Sequence, residues 1–380
     1  MKAEVIDRFF QRLLIALFFV IIAVPALKMG FGEKIEFSYT EKRALAAFPE
    51  IPEDPSQIRQ FFSGLDDYLN DHFGFREWMI YRYQREMKKR FGGSQASTKL
   101  LKGVDDWYFN TDNRLLEDFT GRNLLSESDL NRWILSYRNK KTWLADRGIR
   151  YLFIVPPNKQ TIYGDFVGTP LTDHRGPSRF DQIKDALSAS DRATLVDPAA
   201  ALLQNPDSVP LFFKSDTHWT PYGAYLAYQV IAERIESLFP GIEFRDDFRF
   251  TGPITRSCDS TRRNCGDLTN MLLDFDSFEE SFRDVKPFVK CARKAALDFL
   301  PHDATSANKE RYFSTSCPSA QLKAVVFFDS FFVAIEPYFS ENFKHAIYLL
   351  KEYDQRDVEM LLETFKPDIV IEERVERHLW

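Results

Sequence analysis

The chain has 380 residues, of which 44% are hydrophobic and 28% charged. It is therefore long enough for one large α/β domain or two smaller ones, and its composition argues against a disordered protein. Fifty Lys and Arg against 56 Asp and Glu give a net charge of -6, and this balance does not favour nucleic acid, whose binding proteins usually have a basic face.

The N-terminus carries an apolar run, Leu13–Leu27, that predicts a membrane anchor through residues 9–29. The basic residues that precede the run are Lys2, Arg8 and Arg12. They predict that this end stays in the cytoplasm and that the rest of the chain crosses the membrane. A cleaved signal peptide is the alternative, but Val24-Pro25-Ala26 is a poor cleavage site, so a retained anchor is favoured.

After the anchor, Gly and Pro residues break the chain and indicate a linker. Helical periodicity follows over residues 55–90, interrupted by a turn at His72-Phe73-Gly74, and a short strand is predicted at 107–109. The predicted parts are a cytoplasmic stub with the anchor (1–30), the linker (31–54) and a folded domain (55–380).

The folded domain alternates short apolar runs with helices. The clearest helix covers residues 126–147, with Ser126 or Ser128 to cap it and Gly148 to end it. The apolar runs are 149–155, 194–197, 324–328, 346–350 and 368–371, and further helices are predicted at 222–238, 331–343 and 358–365. Continuous rather than alternating runs are typical of strands covered on both faces, so we predict an α/β fold around a mostly parallel sheet.

The region 245–320 is the least regular and contains all four Cys, so we predict that it is an excursion from the sheet. An even number of Cys in an exported chain suggests disulfides. The most local pairing is Cys258–Cys265 with Cys291–Cys317, and other pairings remain open. A zinc site is the rival interpretation, but neither a CxxC spacing nor a nearby pair of His supports it.

Candidate catalytic residues lie where strands end, the edge at which open α/β sheets bind ligands. The strand at 324–328 runs into Asp329 and Ser330, and a helical pattern follows. A Ser at such a turn is exposed at a helix N-terminus, where backbone N–H groups can bind an oxyanion. The alternative is that Asp329 or Ser330 only caps the helix.

A second candidate is the loop that carries Asp216 and His218, directly before the helix start Thr220-Pro221. Two residues of spacing allow the carboxylate of Asp216 to orient the imidazole of His218 as a general base. The alternatives are an exposed loop with a chance His and a metal site without an evident third ligand. Among the other His, His72 is a lower-ranked candidate.

A third candidate is the segment Pro156-Pro157-Asn158-Lys159, which follows a central strand. Asn158 and Lys159 could contact substrate or support the site, or the loop could simply cap the next turn.

Together these segments resemble the alginate O-acetylation proteins of the AlgJ and AlgX type, and they occur in a shared order. The matching segments are Glu41–Leu45 with Pro49, Tyr68–Arg76, Gly103–Phe109, Pro156–Lys159 with Tyr163, Asp216-Thr217-His218-Trp219, Gly266–Leu268 and Pro367–Arg374. The resemblance implies an SGNH-hydrolase-like three-layer sandwich. It also implies a triad in which Ser330 is the nucleophile, His218 the general base and Asp216 its orienting carboxylate.

The resemblance further implies a periplasmic O-acetyltransferase that modifies an exported polysaccharide through an acetyl-serine intermediate. We expect it to be held in the bacterial inner membrane beside a membrane-bound O-acyltransferase that serves as acetyl donor, and to need no cofactor or metal. The expected substrate-binding or supporting residues are Asn158, Lys159, Trp219, Tyr222 and Asp329.

The chain departs from the family at Phe328, where a Gly usually precedes the Asp-Ser or Thr-Ser pair. A bulky side chain there could alter the turn or the oxyanion hole. This departure could mark a non-catalytic scaffold that binds polysaccharide in a secretion complex. A carbohydrate esterase that uses the same triad with water is a further alternative, because the sequence does not separate it from a transferase.

Overall fold

The computed structural model describes residues 2–32, 35–38, 43–52, 54–91, 99–257, 266–272, 278–297, 299, 301–302 and 311–379. The chain divides into two compact units: residues 1–97 with 269–275 form the first unit, and residues 98–268 with 276–380 form the second. The helices of the predicted 55–90 segment thus belong to the first unit. The sequence boundaries at residues 30 and 54 stay predictions.

The elements are numbered in chain order. The helices are α1 (Lys2–Phe31), α2 (Ile58–His72), α3 (Arg76–Phe91), α4 (Leu115–Phe119), α5 (Glu127–Ala145), α6 (Lys159–Ile162), α7 (Arg179–Ala186), α8 (Ala189–Arg192), α9 (Ala199–Leu203), α10 (Pro221–Leu238), α11 (Asp267–Leu272), α12 (Glu336–Phe339) and α13 (Gln355–Leu362). The strands are β1 (Phe37–Ser38), β2 (Arg43–Ala44), β3 (Leu100–Lys102), β4 (Tyr108–Asn110), β5 (Arg150–Ile154), β6 (Leu195–Val196), β7 (Phe248–Ser257), β8 (Glu279–Pro287), β9 (Arg293–Ala296), β10 (Tyr312–Ser316), β11 (Lys323–Phe327), β12 (His345–Leu349) and β13 (Ile369–Glu373).

The second unit is built on a seven-stranded sheet with the order β6-β5-β13-β11-β12-β10-β9. The five strands from β6 to β12 are mutually parallel, whereas β10 pairs antiparallel with both of its neighbours. The predicted apolar runs coincide with these five parallel strands. The expectation of a central, mostly parallel sheet is therefore confirmed.

Helices cover both faces of this sheet, because successive side chains of a buried strand point to opposite sides. One core joins Leu152, Ile154, Val326 and Ile371 to Ala224, Ile231 and Ile235 of α10. The other joins Tyr151, Phe153, Val325 and Val370 to Ile134 and Leu144 of α5, Ile183 of α7 and Val358 of α13. The fold is thus the three-layer sandwich that the sequence predicts.

The helix boundaries follow the predicted caps closely at α5. The Ser126 hydroxyl accepts a hydrogen bond from the backbone N–H of Asp129 at 3.1 Å and begins the helix. Gly148, just beyond its end, has φ +73°, a conformation that disfavours side chains.

Two sequence expectations are wrong in detail. The predicted helix at 331–343 is a 3-10 turn (Phe332–Ala334), the short α12 and a second 3-10 turn (Ser340–Asn342). Pro337 has no N–H to donate to the preceding turn, which prevents one continuous helix.

The region 245–320 is only partly an excursion. Strands β7 and β8 pair in a separate antiparallel ladder, but β9 and β10 extend the central sheet. The Cys291–Cys317 disulfide, which was part of the most local pairing, is present and links the segments beside β9 and β10. Cys258 and Cys265 lie outside the described residues.

In the first unit, Phe9–Phe31 is a 23-residue apolar helical segment with no buried share, long and apolar enough to cross a membrane. Helices α2 and α3 flank the turn that the sequence predicts at residues 72–74, because α2 ends at His72 and α3 begins at Arg76. His72 has a structural setting, because its Nε2 lies 2.9 Å from the carbonyl oxygen of Ala46 and Asp71 accepts from the Ala46 N–H at 2.8 Å.

Candidate active site

The centre of the site is a hydrogen-bonded row formed by Asp216, His218 and Ser330. His218 Nδ1 lies 2.7 Å from Asp216 Oδ1, and His218 Nε2 lies 2.8 Å from Ser330 Oγ. An ionised carboxylate can only accept, so Nδ1–H donates to Asp216 and Nε2 accepts from the Ser330 hydroxyl. Ser330 is exposed, while His218 and Asp216 are partly buried beneath it. In this geometry the imidazole can take the proton of the Ser330 hydroxyl, which is the arrangement that a serine nucleophile requires.

The loop that carries Asp216 and His218 is closed by its own backbone. Phe212 and Trp219 form an antiparallel bridge, and Thr220 N–H donates to the Leu211 carbonyl at 2.8 Å. Thr220 then caps α10, since its hydroxyl accepts from Gly223 N–H at 3.2 Å. The predicted cap thus fixes the loop directly ahead of the helix.

Asp267 holds the same loop from the other side. Its carboxylate accepts from Thr217 N–H at 2.7 Å and from Thr217 Oγ1 at 2.5 Å, and its own N–H donates to Asp216 Oδ2 at 3.2 Å. The preceding Gly266 permits this approach, because a Cβ there would overlap the Ser215 carbonyl oxygen.

The pair Asp216–His218 stabilises its own charges. Burial acts to lower the pKa of His218, but the hydrogen bond and charge of Asp216 outweigh it, so the pKa is raised above its usual value. Burial acts to raise the pKa of Asp216, yet the hydrogen bond and charge of His218 hold it well below its usual range. Asp216 is therefore a carboxylate, suited to stabilise an imidazolium.

The turn that presents Ser330 is fixed by Asp329. Its carboxylate accepts from Phe331 N–H and Val375 N–H, both at 2.9 Å, while its own N–H donates to Glu373 Oε2 at 2.8 Å. Burial acts to raise the pKa of Asp329, but His378 at 3.6 Å and these N–H donors lower it to about 2. Burial and the charge of Asp329 raise the pKa of Glu373 well above its usual value.

Phe328 does not enter the site. Its side chain is buried against the rings of Phe313, Phe332 and Tyr348, and its backbone is not among the described residues with positive φ. The backbone at this position therefore does not require Gly, and the side chain is accommodated in the core.

Lys159 supports the site from beneath, since it is only 3% exposed. Its ammonium donates to three backbone carbonyls, those of Tyr108 at 2.6 Å, Asp216 at 2.8 Å and Lys214 at 3.0 Å. Burial lowers the pKa of Lys159 to about 7, against the opposing charges of Asp216 and Asp267. Three acceptors match the three N–H groups of a protonated Lys.

The other expected supporting residues are buried. Trp219 donates from its indole N–H to the Phe331 carbonyl at 3.0 Å, which ties the loop of His218 to the Ser330 turn. Tyr222 donates to Asp207 at 2.5 Å. Asn158 donates its backbone N–H to Glu376 Oε2 at 2.8 Å. Their burial favours supporting roles over direct substrate contact.

The tail after β13 supplies residues that the sequence did not single out. Strand β13 lies between β5 and β11, so its carboxyl end falls between the Lys159 loop and the Ser330 turn. Arg377 lies over the Phe331 ring, 5.0 Å from the ring centre, and its charge acts on His218. Burial raises the pKa of Glu376 to about 7. The sequence does not state the order of the strands, and only that order shows that the segment after β13 lies beside the Ser330 turn.

Asp216, His218 and Asp267 each offer a ligand atom, and these atoms lie within 4.8 Å of one another, so Asp267 is the third group that a metal reading lacked. In the observed geometry, however, both ring nitrogens of His218 are directed at Asp216 and Ser330. The geometry therefore fits proton transfer better than metal binding.

Comparison with known proteins gives a consistent result. The profile of the SGNH hydrolase-like domain of acetyltransferase AlgX matches residues 100–296, which are 197 of the 380 residues. The match includes Lys159, Asp216 and His218 and ends before Ser330. The probable alginate O-acetylase AlgJ of Pseudomonas putida is 29% identical over 178 residues, 46% of this chain and 42% of that protein. The match thus spans less than half of that relative's length.

Among solved structures, PatB1 of Bacillus cereus with a sulfonyl adduct has a TM-score of 0.52 at 17% identity, over 74% of this chain and 97% of that one. The O-acetyltransferase domain of Pseudomonas putida AlgJ has a TM-score of 0.45 at 18% identity, over 74% of this chain and 91% of that one. At such identity the likeness to PatB1 speaks for the fold alone.

Proposed function

Because this chain belongs to the AlgX family of SGNH hydrolase-like acetyltransferase domains, we propose that it is an O-acetyltransferase that modifies an exported polysaccharide. The observation that carries the proposal is the row from Asp216 through His218 to the exposed Ser330 hydroxyl. The name of the AlgJ relative suggests an alginate-like acceptor. With α1 as a single-pass anchor, the catalytic unit lies in the periplasm, beside a membrane-bound O-acyltransferase that supplies acetyl groups.

The reaction proceeds in two matched halves. His218 Nε2 takes the Ser330 proton while Oγ attacks the acetyl donor carbonyl, and the protonated His218 then gives that proton to the leaving group. In the second half His218 deprotonates a sugar hydroxyl, which attacks the acetyl-serine. Ser330 Oγ leaves and regains its proton. Asp216 stays ionised throughout and stabilises the imidazolium.

The oxyanion needs donors that are not already engaged. The Phe331 N–H donates to Asp329, whereas the Ser330 N–H has no acceptor within the part of the chain that the structure describes. We assign the Ser330 N–H to the oxyanion, with Arg377 adding positive charge beside Phe331. The sequence predicts that backbone N–H groups near Ser330 bind the oxyanion, and we assign this role to one of them, the Ser330 N–H.

The test is acetyl transfer from a chromogenic acetyl ester to an alginate oligosaccharide by the purified full chain. Ser330→Ala should reduce transfer by at least about 10³-fold, because the nucleophile is lost. The matched control is Ser237→Ala, which removes an exposed hydroxyl on α10 that only donates to the Arg234 carbonyl. Full activity of Ser330→Ala would refute the assignment.

The same assay separates the transferase from an esterase. A transferase yields acetylated oligosaccharide, measured by mass spectrometry, whereas an esterase releases acetate and leaves the oligosaccharide unmodified. Intact mass should also reveal acetyl-enzyme on Ser330 when the acceptor is omitted.

A further inference from the structure

We propose that the hairpin of α2 and α3 is a second membrane contact, which lies on the surface of the bilayer that α1 spans. The proposal rests on α1 as a membrane anchor and concerns the first unit alone. It commits to one partner, a phospholipid surface with anionic headgroups.

The first observation is an uncovered apolar stripe on α2. Its residues recur at i, i+4, i+7, i+11 and i+15, one face of a helix. They are Ile58, Phe62, Leu65 and Leu69 of α2, followed by Phe73 directly after its end. Phe62 is 62% exposed and Phe73 is 47% exposed, and α2 has no buried residue. Such a contiguous exposed stripe usually marks an interaction site.

A neighbouring side of α2 is already occupied. Tyr68 packs edge-to-face on Phe48 at 5.2 Å, and a Cβ at Gly64 would lie 3.1 Å from Pro49. The preceding chain therefore covers this side, while the stripe is left open within the described residues.

The second observation joins the hairpin to α1. The turn between α2 and α3 packs so closely on the anchor that a Cβ at Gly74 would overlap the carbonyl oxygen of Pro25. The Lys28 ammonium lies 4.2 Å from the ring centre of Phe75. The contact is thus at the last turns of the apolar helix, not beyond it.

The depth of this contact fits an interfacial helix. Pro25 lies six residues before Phe31, which is about 9 Å along a helix that rises 1.5 Å per residue. Amphipathic helices at membrane surfaces bury their apolar face about 5–10 Å into the headgroup and acyl boundary. A hairpin attached at the level of Pro25 can therefore place its stripe in that zone.

The third observation is the composition of α3. It contains six Lys and Arg against two Glu, and its Trp78 is 59% exposed and its Tyr83 63% exposed. Trp and Tyr concentrate at membrane–water interfaces, and basic helices are attracted to anionic lipid. The chain as a whole is acidic, so this basic helix is a local feature.

The test places a benzophenone amino acid in the full chain, reconstituted in vesicles of phosphatidylethanolamine and phosphatidylglycerol. The positions are Phe62 and Trp78, with Asp67, exposed on the polar face of α2, as the matched control and Phe18 of α1 as the anchor control. After irradiation, mass spectrometry should detect at least about fivefold more lipid adduct at Phe62 and Trp78 than at Asp67, because inserted side chains are surrounded by acyl chains.

The outcomes are distinguishable. Lipid adducts at Phe18 but not at Phe62 or Trp78 would overturn the hairpin proposal and leave the anchor intact. Adducts to a second copy of the chain would also overturn it. No adduct at Phe18 would refute the anchor itself. Leu69 provides an independent position on the same stripe should either substitution prevent folding of the helices, which circular dichroism of the same sample reports.

Discussion

Single residues set the protonation state on which the proposed chemistry depends. His218 must be neutral to accept the Ser330 proton, and Asp216 raises the pKa of His218 above its usual value of 6.5. Activity should therefore rise with pH through that raised pKa and level off above it. A raised pKa makes His218 a stronger base, but in acid the imidazole is already protonated and cannot accept the Ser330 proton.

Asp216→Asn should move the rising limb of the kcat/KM profile to lower pH. Burial and the charge of Arg377 then lower the pKa of His218 against the charge of Asp267 alone, because the hydrogen bond and charge of Asp216 are lost. The plateau should fall by about 10⁴-fold, because the amide no longer holds the imidazole in the required tautomer. The measurement is ester hydrolysis across pH, with the exposed Asp185→Asn as control. An unmoved limb would show that Asp216 does not partner the base.

Lys159 is a positioning residue that acts through the backbone of the Asp216 loop. Lys159→Met keeps the apolar stem but removes the ammonium from three carbonyls, of which that of Lys214 still accepts from the Tyr108 N–H at 3.1 Å. We expect the free energy of unfolding to fall by at least about 1 kcal/mol, since each buried carbonyl left unsatisfied costs about 1–3 kcal/mol. At denaturant concentrations at which the variant is still folded, kcat should fall while KM changes little, because the loop that carries His218 becomes more mobile.

The matched control is Lys214→Met, since the ammonium of Lys214 donates to one exposed carbonyl, that of Asp105, at 2.7 Å. Denaturant unfolding and steady-state kinetics of both variants decide the matter. Equal effects in the two variants would contradict a specific role for Lys159.

Residue spacing could predict the Asp216–His218 contact because both residues share one loop. It could not predict Asp267, which binds the same loop from 50 residues away. Nor could it predict that Lys159 would reach the Asp216 carbonyl, 57 residues along the chain. Contacts of this kind depend on the folded path of the backbone rather than on local pattern.

At the level of elements, continuous apolar runs identified the five parallel strands because those strands are buried on both faces. Strands β7 and β9 were missed because they are largely exposed and carry charged residues within the run. Apolar runs therefore predict the parallel strands and the edge that carries the candidate site, but not the antiparallel strands β10 and β9 that extend the sheet beyond β12.

The segment after β13 makes the stability of the fold depend on pH. Glu376 is 2% exposed, and it accepts from Asn158 N–H at 2.8 Å and from Thr161 Oγ1 at 2.6 Å. Burial raises its pKa to about 7, above the value near 4.3 expected in the unfolded chain. The folded state thus holds the proton more tightly, and its stability is lost progressively as pH rises from about 4.3 to about 7.

Glu376→Gln should remove this dependence, because the neutral amide imitates the protonated acid. At pH 8 the variant should be more stable than the parent by up to about 4 kcal/mol, the free energy equivalent of that pKa difference. At pH 4 the two should be equal. The measurement is urea unfolding at both pH values, with the exposed Glu363→Gln as control. A variant less stable than the parent at pH 8 would show that Glu376 is ionised in the folded state.

On the scale of the whole molecule, the proposed catalytic groups and the proposed anchor belong to different units. Asp216, His218 and Ser330 belong to the second unit, as do Lys159 and Asp267, whereas α1 belongs to the first. A domain with its own core usually keeps its site when a remote segment is removed. The chemistry should therefore be separable from membrane attachment.

Deletion of residues 2–31 should leave hydrolysis of a soluble acetyl ester within about twofold of the full chain, because the second unit keeps both of its cores. Acetylation of polymer in cells should fall sharply, since the donor partner is expected in the membrane. Ser330→Ala in the same shortened chain is the control that assigns the remaining activity to this site. Loss of ester hydrolysis in a shortened chain with native circular dichroism would contradict the separation, because the catalytic row would then depend on the anchor.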